Sequence, residues 1–535
     1  MLRFGIIPAR SGALTLPISG RYDSMFSKRL FIALFSALLG GCSLPAQNMI
    51  ASSALDNETA QSTRLGQALA PGVAAHPGKS GIYPLSDPHN AFAARVLLAR
   101  AAERTLDVQY YIWHADMTGT LLLEELHDAA DRGVRVRLLL DDNGTAGLDT
   151  ELAALALHPQ IEVRLFNPFK VRKPKWLGYV TDFSRANRRM HNKSLTADNQ
   201  ATIIGGRNVG DEYFGATEGI LFADLDVLSV GPIVDEVSQD FDRYWASGSS
   251  YPVEQIVPAV STAQLDQLSQ SATLIERDAR AADYVAAVSR ADFIRQMLSG
   301  ELQLEWAHTR MVTDDPAKGL GKAEADGLLT YQLGQILDQP NHAVVLVSPY
   351  FVPTAAGVAA FTALADQGID VRILTNSLDA TDVAAVHAGY AKRRKALLKA
   401  GVQLFEMRRL SPHLERNESA GPFGSSGSSL HAKTFAVDGE RIFVGSFNFD
   451  PRSANLNTEL GFVIDSPSLA QAVHQAFDST IPANAYEVRL DDRERLYWVE
   501  RLDDRQIHYD QEPNTGMLKR SGILLLSLLP IEWLL

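Results

Sequence analysis

HNKSLTAD, His191 to Asp198, and HAKTFAVD, His431 to Asp438, set His, Lys and Asp at the same spacing twice in one chain. In an extended segment, His and Lys two residues apart project to one face, and the Asp five positions past the Lys falls where the strand turns. Each octet is followed by an apolar strand and a glycine turn, ATIIGGRN after the first and RIFVGSFN after the second. Gly205, Gly206 and Asn208 thus answer to Gly445, Ser446 and Asn448.

The repeat is longer than these frames. TLDVQYYIW (105–113), a helical stretch and VRVRLLLDD (134–142) recur in the same order as AVVLVSPYF (343–351), a helical stretch and IDVRILTNS (369–377). His191 and His431 lie 240 residues apart, Tyr111 and Tyr350 239, and Gly133 and Gly368 235. So constant an offset means duplication, and strands alternating with helices predict an α/β chain with a mixed sheet flanked by helices in each half. The expected division is 84–247 for the first half, 248–300 for a linker or helical spacer, 301–490 for the second half and 491–535 for a C-terminal tail. GPFGSSGSS (421–429) reads as a loop just ahead of His431.

At 535 residues the chain exceeds one compact core, and its 46% apolar content is that of a globular protein. A net charge of −13 argues against bulk nucleic-acid binding, although KVRKPK (170–175), RANRRMHNK (185–193) and KRRK (392–395) are local basic patches. KRRK alone reads as a solvated face, whereas RANRRMHNK runs into the first frame, where Arg185, Arg188 and Arg189 are candidates to attract anionic groups. Cys42 is the single cysteine, so disulfides within the chain and cysteine-rich metal sites are excluded. It closes MFSKRLFIALFSALLGGC, which has two basic residues, a short apolar run and then small residues, the layout of a secretory signal. Leu39-Gly40-Gly41-Cys42 resembles a bacterial lipobox. Residues 1–42 are therefore expected to be a lipoprotein signal with a possible start at Met25, Cys42 the lipidation site, and 43–83 a flexible tether.

Beyond these patterns, DVQYYIW, GYVTDFSRANRRMHNKS, GGRNVGDEYFG, DDPAKG, LTNSLDATDVAAVHAGYAKRR and GSFNFDPRS resemble the phospholipase D superfamily and, within it, bacterial cardiolipin synthases of the C type. The likeness runs from about Gly81 to the C-terminal PIEWLL; the leader departs from it. It implies two phospholipase D-like halves packed as a pseudo-dimer, with the site at their junction.

The residues themselves suit a phosphodiester: two imidazoles can divide the work of nucleophile and proton donor, and Lys193, Lys433, Asn208, Asn448 and Ser446 can hold the nonbridging oxygens. No cluster with metal-ligand spacing is visible, and no cofactor is expected. The catalytic set is read as His191, Lys193, Asp198, His431, Lys433 and Asp438, with the two aspartates bracing turns rather than touching substrate. Pseudo-twofold symmetry leaves the two histidines equivalent; the resemblance implies His191 as nucleophile, forming a phosphohistidine, and His431 as acid. It further implies an acidic residue behind each motif, Glu459 in LNTELGF and Asp224 in FADLDV. Arg452 is left between phosphate contact and pairing with an acidic neighbour, while Trp113, His114, Tyr350 and Phe351 end their strands near the expected pocket and read as core.

The implied reaction moves a phosphatidyl group onto phosphatidylglycerol, from phosphatidylglycerol or phosphatidylethanolamine, to give cardiolipin. Hydrolysis to phosphatidic acid is the alternative, and nuclease chemistry a further one that the acidic total and the leader disfavour. The expected location is a bacterial membrane, as a lipoprotein facing the periplasm, or the cytoplasmic face of the inner membrane if the leader is unused. ILLLSLLPIEWLL (523–535) could lie at that interface. An accessory protein is left open.

Overall fold

The computed structural model describes residues 44–47, 51–215, 224–337, 339–409, 430–502 and 505–535. Cys42, the rest of the leader and the 421–429 loop lie outside the described residues. The chain divides into a short segment, 1–46, and one compact unit, Gln47–Leu535, and everything below concerns the latter.

The first sheet comprises β1 (Ser80–Leu85), β2 (Thr105–Ile112), β3 (Arg135–Gly144), β4 (Ile161–Phe166), β5 (Ser194–Ala197), β6 (Ala201–Gly205), β7 (Asp226–Val230), β8 (Ser250–Pro252) and β9 (Glu305–Ala307). Its spatial order is β8-β4-β3-β2-β5-β6-β7-β1-β9. The second comprises β10 (Thr309–Thr313), β11 (Ala343–Val347), β12 (Asp370–Asn376), β13 (Gln403–Met407), β14 (Thr434–Val437), β15 (Arg441–Gly445), β16 (Leu460–Ile464), β17 (Ala485–Leu490), β18 (Leu496–Leu502) and β19 (Arg505–Tyr509). It is ordered β10-β16-β15-β14-β11-β12-β13-β17-β18-β19. In each, three strands run parallel, β2-β3-β4 and β11-β12-β13, and the outer one at the motif side, β2 or β11, pairs antiparallel with the strand that follows the His-Lys pair, β5 or β14. The mixed sheets expected from the duplicated pattern are present, with helices on their faces and the same strand order through the shared core.

Both motif strands end in matching hairpins. Asp198 and Asn199 have φ of 52° and 53°, and Asp438 and Gly439 have φ of 55° and 67°. Two successive positive φ values are what a two-residue turn of the primed type needs, and Asp, Asn and Gly tolerate them. The halves meet through an apolar cluster that includes Ile204, Val227 and Val234 from the first and Val345, Ala432 and Phe462 from the second.

Three expected boundaries are corrected. Residues 57–75 are not a tether: Asn57–Ser62 and Arg64–Ala75 are helices, N-capped by Asp56 and Thr63, and they bury Ala60, Leu65 and Leu69. The spacer belongs to the first half, because β8 pairs with β4 and Leu268, Ala272, Tyr284 and Phe293 lie in the first core, and the first sheet runs past residue 300 to β9, which pairs with β1. Nor is 491–535 a free tail; β18 and β19 extend the second sheet before a helix at Met517–Ser527.

Candidate active site

Each motif histidine is delivered by a segment fixed before the strand begins. On β3, Asp141 accepts from the backbone N–H of Met190 (2.8 Å), and on β12 its counterpart Asn376 exchanges bonds with the backbone of Leu430 (3.1 and 3.2 Å). The residue before each histidine is thereby held by the same strand of its own half. The first motif is also zipped to the second half: His191 N–H donates to Thr458 O, and Thr458 N–H to Arg189 O, both at 2.9 Å.

The carboxylates behind the imidazoles are exchanged between halves. His191 Nδ1 lies 2.7 Å from Glu459 Oε2, and His431 Nδ1 lies 2.6 Å from Asp224 Oδ2. A hydrogen bond to an ionised partner contributes about 1.5–3 kcal/mol, and here it also fixes which ring nitrogen carries the proton. Neither half therefore contains a complete histidine–carboxylate pair. Glu459 is in turn held by Asp314, which accepts its N–H (2.9 Å) and bonds Lys318 Nζ (2.8 Å), the Asp and Lys of DDPAKG.

The surroundings of the two carboxylates differ. Ser446 Oγ donates to Glu459 Oε2 at 2.5 Å, so the hydroxyl expected at the phosphate is committed to the carboxylate instead. At the equivalent Gly206 a Cβ would stand 2.2 Å from Asp224 Oδ1; the shorter acid leaves no room for the serine. Burial pushes the Glu459 carboxyl up to about 7 against the pull of Lys193. Burial acts on Asp224 too, but His431, Arg207 and Lys433 outweigh it and hold that carboxyl well below the usual range.

All four motif bases are buried, His191 and His431 at 7% and 8% exposure. Burial, with Lys193 and Lys433 alongside, lowers the His191 imidazole well below its ordinary value. Burial and Lys433 bring His431 down to about 4, and burial brings Lys433 down to about 8 despite Asp224 and Glu459. Lys193 is lowered strongly by the same burial. Each ammonium donates to the carbonyl oxygen of its own motif histidine. Crowded and desolvated cations of this kind gain when an anion enters.

Asp198 and Asp438 stand at the far ends of the motif strands. Asp198 accepts from the N–H groups of Glu103, Arg104 and Thr105, and Asp438 from those of Asn341, His342 and Ala343. They brace the entry to β2 and β11, which removes them from the catalytic set. Asn208 and Asn448 are buried beside the site; Asn208 Oδ1 accepts from Ile112 N–H at 3.2 Å. Arg452 donates to Leu534 O, Asn187 O and Asn187 Oδ1, tying the end of the second half to the segment before the first motif.

Trp113 and Phe351 are core, His114 faces Glu212 at 2.9 Å, and the Tyr350 hydroxyl donates to Asp382. The rings that do meet the histidines are Tyr111 on His191 (centroids 4.9 Å apart) and, from the opposite half, Tyr213 on His431 (5.2 Å). Tyr213 was not singled out by sequence, although it sits in the GDEYFG that follows the first glycine turn.

The basic patches are largely paired within the chain. Arg189 bonds Asp141, Arg172 and Lys175 bond Asp142, Lys392 and Arg393 bond Glu532, and Arg394 bonds Glu406 and Glu512. Arg188 donates to the carbonyls of Lys318 and Asn455, and Arg185 to Asp182. These bonds brace the segment before the first motif.

The family model described as "Cardiolipin synthase, PLD-like domain" matches the chain twice, over residues 97–245 and 333–481. Cardiolipin synthase C of Escherichia coli K12 is 50% identical over 472 residues, covering 88% of this chain and 100% of that protein. A cardiolipin synthase of Staphylococcus aureus Mu50 is 26% identical over 402 residues, 75% of this chain and 67% of that one. Among solved structures, the phosphatidylserine synthase of Haemophilus influenzae Rd KW20 aligns with a TM-score of 0.51 at 13% identity, covering 88% of this chain and 100% of that one, a likeness of fold. With both phospholipase D-like repeats matched and half of all aligned positions shared with a full-length relative, the chain belongs to the cardiolipin synthase family of phospholipase D-like proteins.

Proposed function

We propose that this protein is a phosphatidyl transferase that makes cardiolipin. The observation that carries the reading is the pair of exchanged dyads, His191–Glu459 and His431–Asp224, set beside two buried lysines, in a chain half identical to a cardiolipin synthase along that protein's full length. With Nδ1 of each ring engaged, Nε2 is the reacting nitrogen. His191 Nε2 attacks phosphorus, forming a P–N bond as the P–O bond to the leaving alcohol breaks, and His431 gives that alcohol its proton. His431 then takes the proton of the incoming glycerol hydroxyl, whose oxygen attacks phosphorus and releases His191. Lys193 and Lys433 offset the charge on the nonbridging oxygens.

The unequal carboxylates support this division. A firmly anionic Asp224 favours the imidazolium that a proton donor must form, whereas a Glu459 held near 7 leaves His191 a neutral nucleophile. The lysines set a pH dependence. The acid form of His431, lowered to about 4, declines as pH rises above that value, and through about 8 Lys433 also loses its proton and with it the attraction for the phosphodiester, so the alkaline fall of kcat/KM steepens from near 8. Bound phosphate stabilises the ammonium, so the corresponding limb of kcat lies at higher pH. The acid limb, set by protonation of His191, lies below the ordinary histidine value. A kcat/KM profile with its acid limb at or above pH 6.5 would contradict the assignment.

Action at a membrane surface is part of the same reading. Leu518, Leu524, Leu525, Leu528 and Trp533 of the C-terminal helix and tail are exposed, an apolar set suited to the interface. Among the described residues no helix is long and apolar enough to cross a membrane, and acylated Cys42 would supply the anchor on a periplasm-facing surface.

Product analysis by mass spectrometry tests the whole reading. Given isotopically labelled phosphatidylglycerol, with and without phosphatidylethanolamine, the protein is expected to yield cardiolipin, and His191→Ala to yield none. Dependence on phosphatidylethanolamine identifies the phosphatidyl donor. Phosphatidic acid as the sole product would replace transfer by hydrolysis.

A further inference from the structure

The two halves differ in how well they cover one face of their sheets. In the first half Leu106, Val108, Leu195 and Ala197 are all 0% exposed, beneath the helices Pro88–Ala101 and Met117–Asp131, against which the spacer helices pack. The equivalent positions in the second half, by the matching hairpin registers, are Val344, Leu346, Phe435 and Val437; three of them are only partly buried. Here the helix between the first two strands is Leu329–Ile336, of 8 residues against 14 for Pro88–Ala101. The next one, Thr354–Asp366, buries only Phe361. Between these two helices lies a cleft of about 490 Å³, walled by Leu333, Val344, Phe435, Val437 and Phe449.

Its size falls in the range of small-molecule sites, roughly 300–1,000 Å³, and its chemistry selects the occupant. Its wall carries four polar side chains: Asp450 and Asn455 are bonded within their own turn, to Ser453 N–H and Pro451 O, and the hydroxyls of Thr330 and Thr354 are too few to pair an extended backbone. A peptide laid there would bring amide groups that this lining cannot pair, whereas a hydrocarbon chain brings none. Position selects it too. Phe449 and Asp450 directly follow Asn448, and the Asp450 charge acts on Lys433. On the other side Val352, also on the wall, packs with Val386 and Leu535 of the tail that carries the exposed leucines and Trp533. The cleft therefore lies between the candidate phosphate site and the surface assigned to the bilayer.

We propose that this cleft holds one fatty acyl chain of the phospholipid substrate, an inference that rests on the phosphatidyl-transfer reading and names where that substrate's hydrocarbon goes. Gly334 lines the cleft and a Cβ there meets nothing within 4 Å, so Gly334→Trp fills it; Val437→Trp does so from the sheet side. The full chain is titrated with 11-(dansylamino)undecanoic acid, and turnover is measured with dioleoyl phosphatidylglycerol in mixed micelles and with monomeric dihexanoyl phosphatidylglycerol. One probe is expected per chain, displaced in both Trp variants. In the variants kcat/KM for the dioleoyl lipid is expected to fall about tenfold or more, with the dihexanoyl lipid little changed. Failure of the unmodified protein to bind the probe overturns the proposal, as do equal losses on both lipids in a variant whose thermal melting is unchanged. A change in sedimentation of the Trp variants would assign the cleft to a second copy of the chain instead. Probe binding without turnover of either lipid would keep the acyl site and sink the reading of function, so the two failures are distinguishable.

Discussion

His191→Ala and His431→Ala both lose phosphatidyl transfer, the second by about 10²- to 10⁴-fold, the usual share of a general acid and base, and the first by more, since no covalent step remains and only the charge stabilisation by the lysines is left. They fail at different points, which makes the pair more informative than either alone. With a p-nitrophenyl phosphodiester the leaving group departs without a proton, so His431→Ala still forms the P–N bond. It cannot deprotonate the acceptor, and so it releases one equivalent of p-nitrophenolate and then stalls with a phosphoryl group on His191, visible in the intact mass under neutral conditions. His191→Ala gives no burst. A burst from His191→Ala and none from His431→Ala would exchange the two roles. Comparable residual turnover in both folded variants, with no covalent species in either, would remove the two-histidine mechanism altogether.

The duplication was legible because chemistry and architecture repeat together: His-x-Lys, the Asp-led hairpin and the Gly-x-x-Asn turn recur in register, and the strands β2-β3 and β11-β12 fall where the apolar runs place them. What was not legible depends on contacts between segments distant in sequence. Asp224 and Glu459 each follow their own histidine in the chain, and nothing in spacing says that each serves the other half's ring. One local signal did exist, since Gly206 goes with the shorter acid and Ser446 with the longer one. The polar, Ala- and Ser-rich composition of 43–83 suggested a tether, yet Asp56 and Thr63 cap helices there and Leu65 and Leu69 find a core. β9 is only 3 residues long, too short to show a period of two, so its membership in the first sheet rests on its pairing with β1. The pairing of the basic patches was hidden for a related reason: a run of arginines shows in sequence, but the aspartates and glutamates that bond it are dispersed.

Asp224→Asn is expected to cost about 10³- to 10⁴-fold in kcat, the scale seen when the carboxylate behind a catalytic histidine becomes an amide, and Glu459→Gln only about 10- to 10²-fold. Both amides keep an oxygen able to accept Nδ1–H, so the difference lies in charge. His431 must carry a positive charge in both chemical steps, and Asp224, held well below the usual carboxylate range by His431, Arg207 and Lys433 against its burial, supplies a full negative charge beside it. Glu459, pushed up to about 7 by burial, is already neutral in a substantial fraction of molecules near neutral pH; its task is to fix the His191 tautomer, which Ser446 assists by anchoring the same oxygen. The pH profile separates this from simple misfolding. In Glu459→Gln, any step that follows the Glu459 ionisation near pH 7 vanishes from the kcat profile while the Lys433 limb near 8 in kcat/KM stays. In Asp224→Asn, Lys433 loses its largest stabilising neighbour, and that alkaline limb moves to lower pH. Equal losses in the two variants, or an unmoved limb in Asp224→Asn, would mean that the two exchanged dyads are functionally equivalent and that the unequal carboxylates do not decide which histidine attacks.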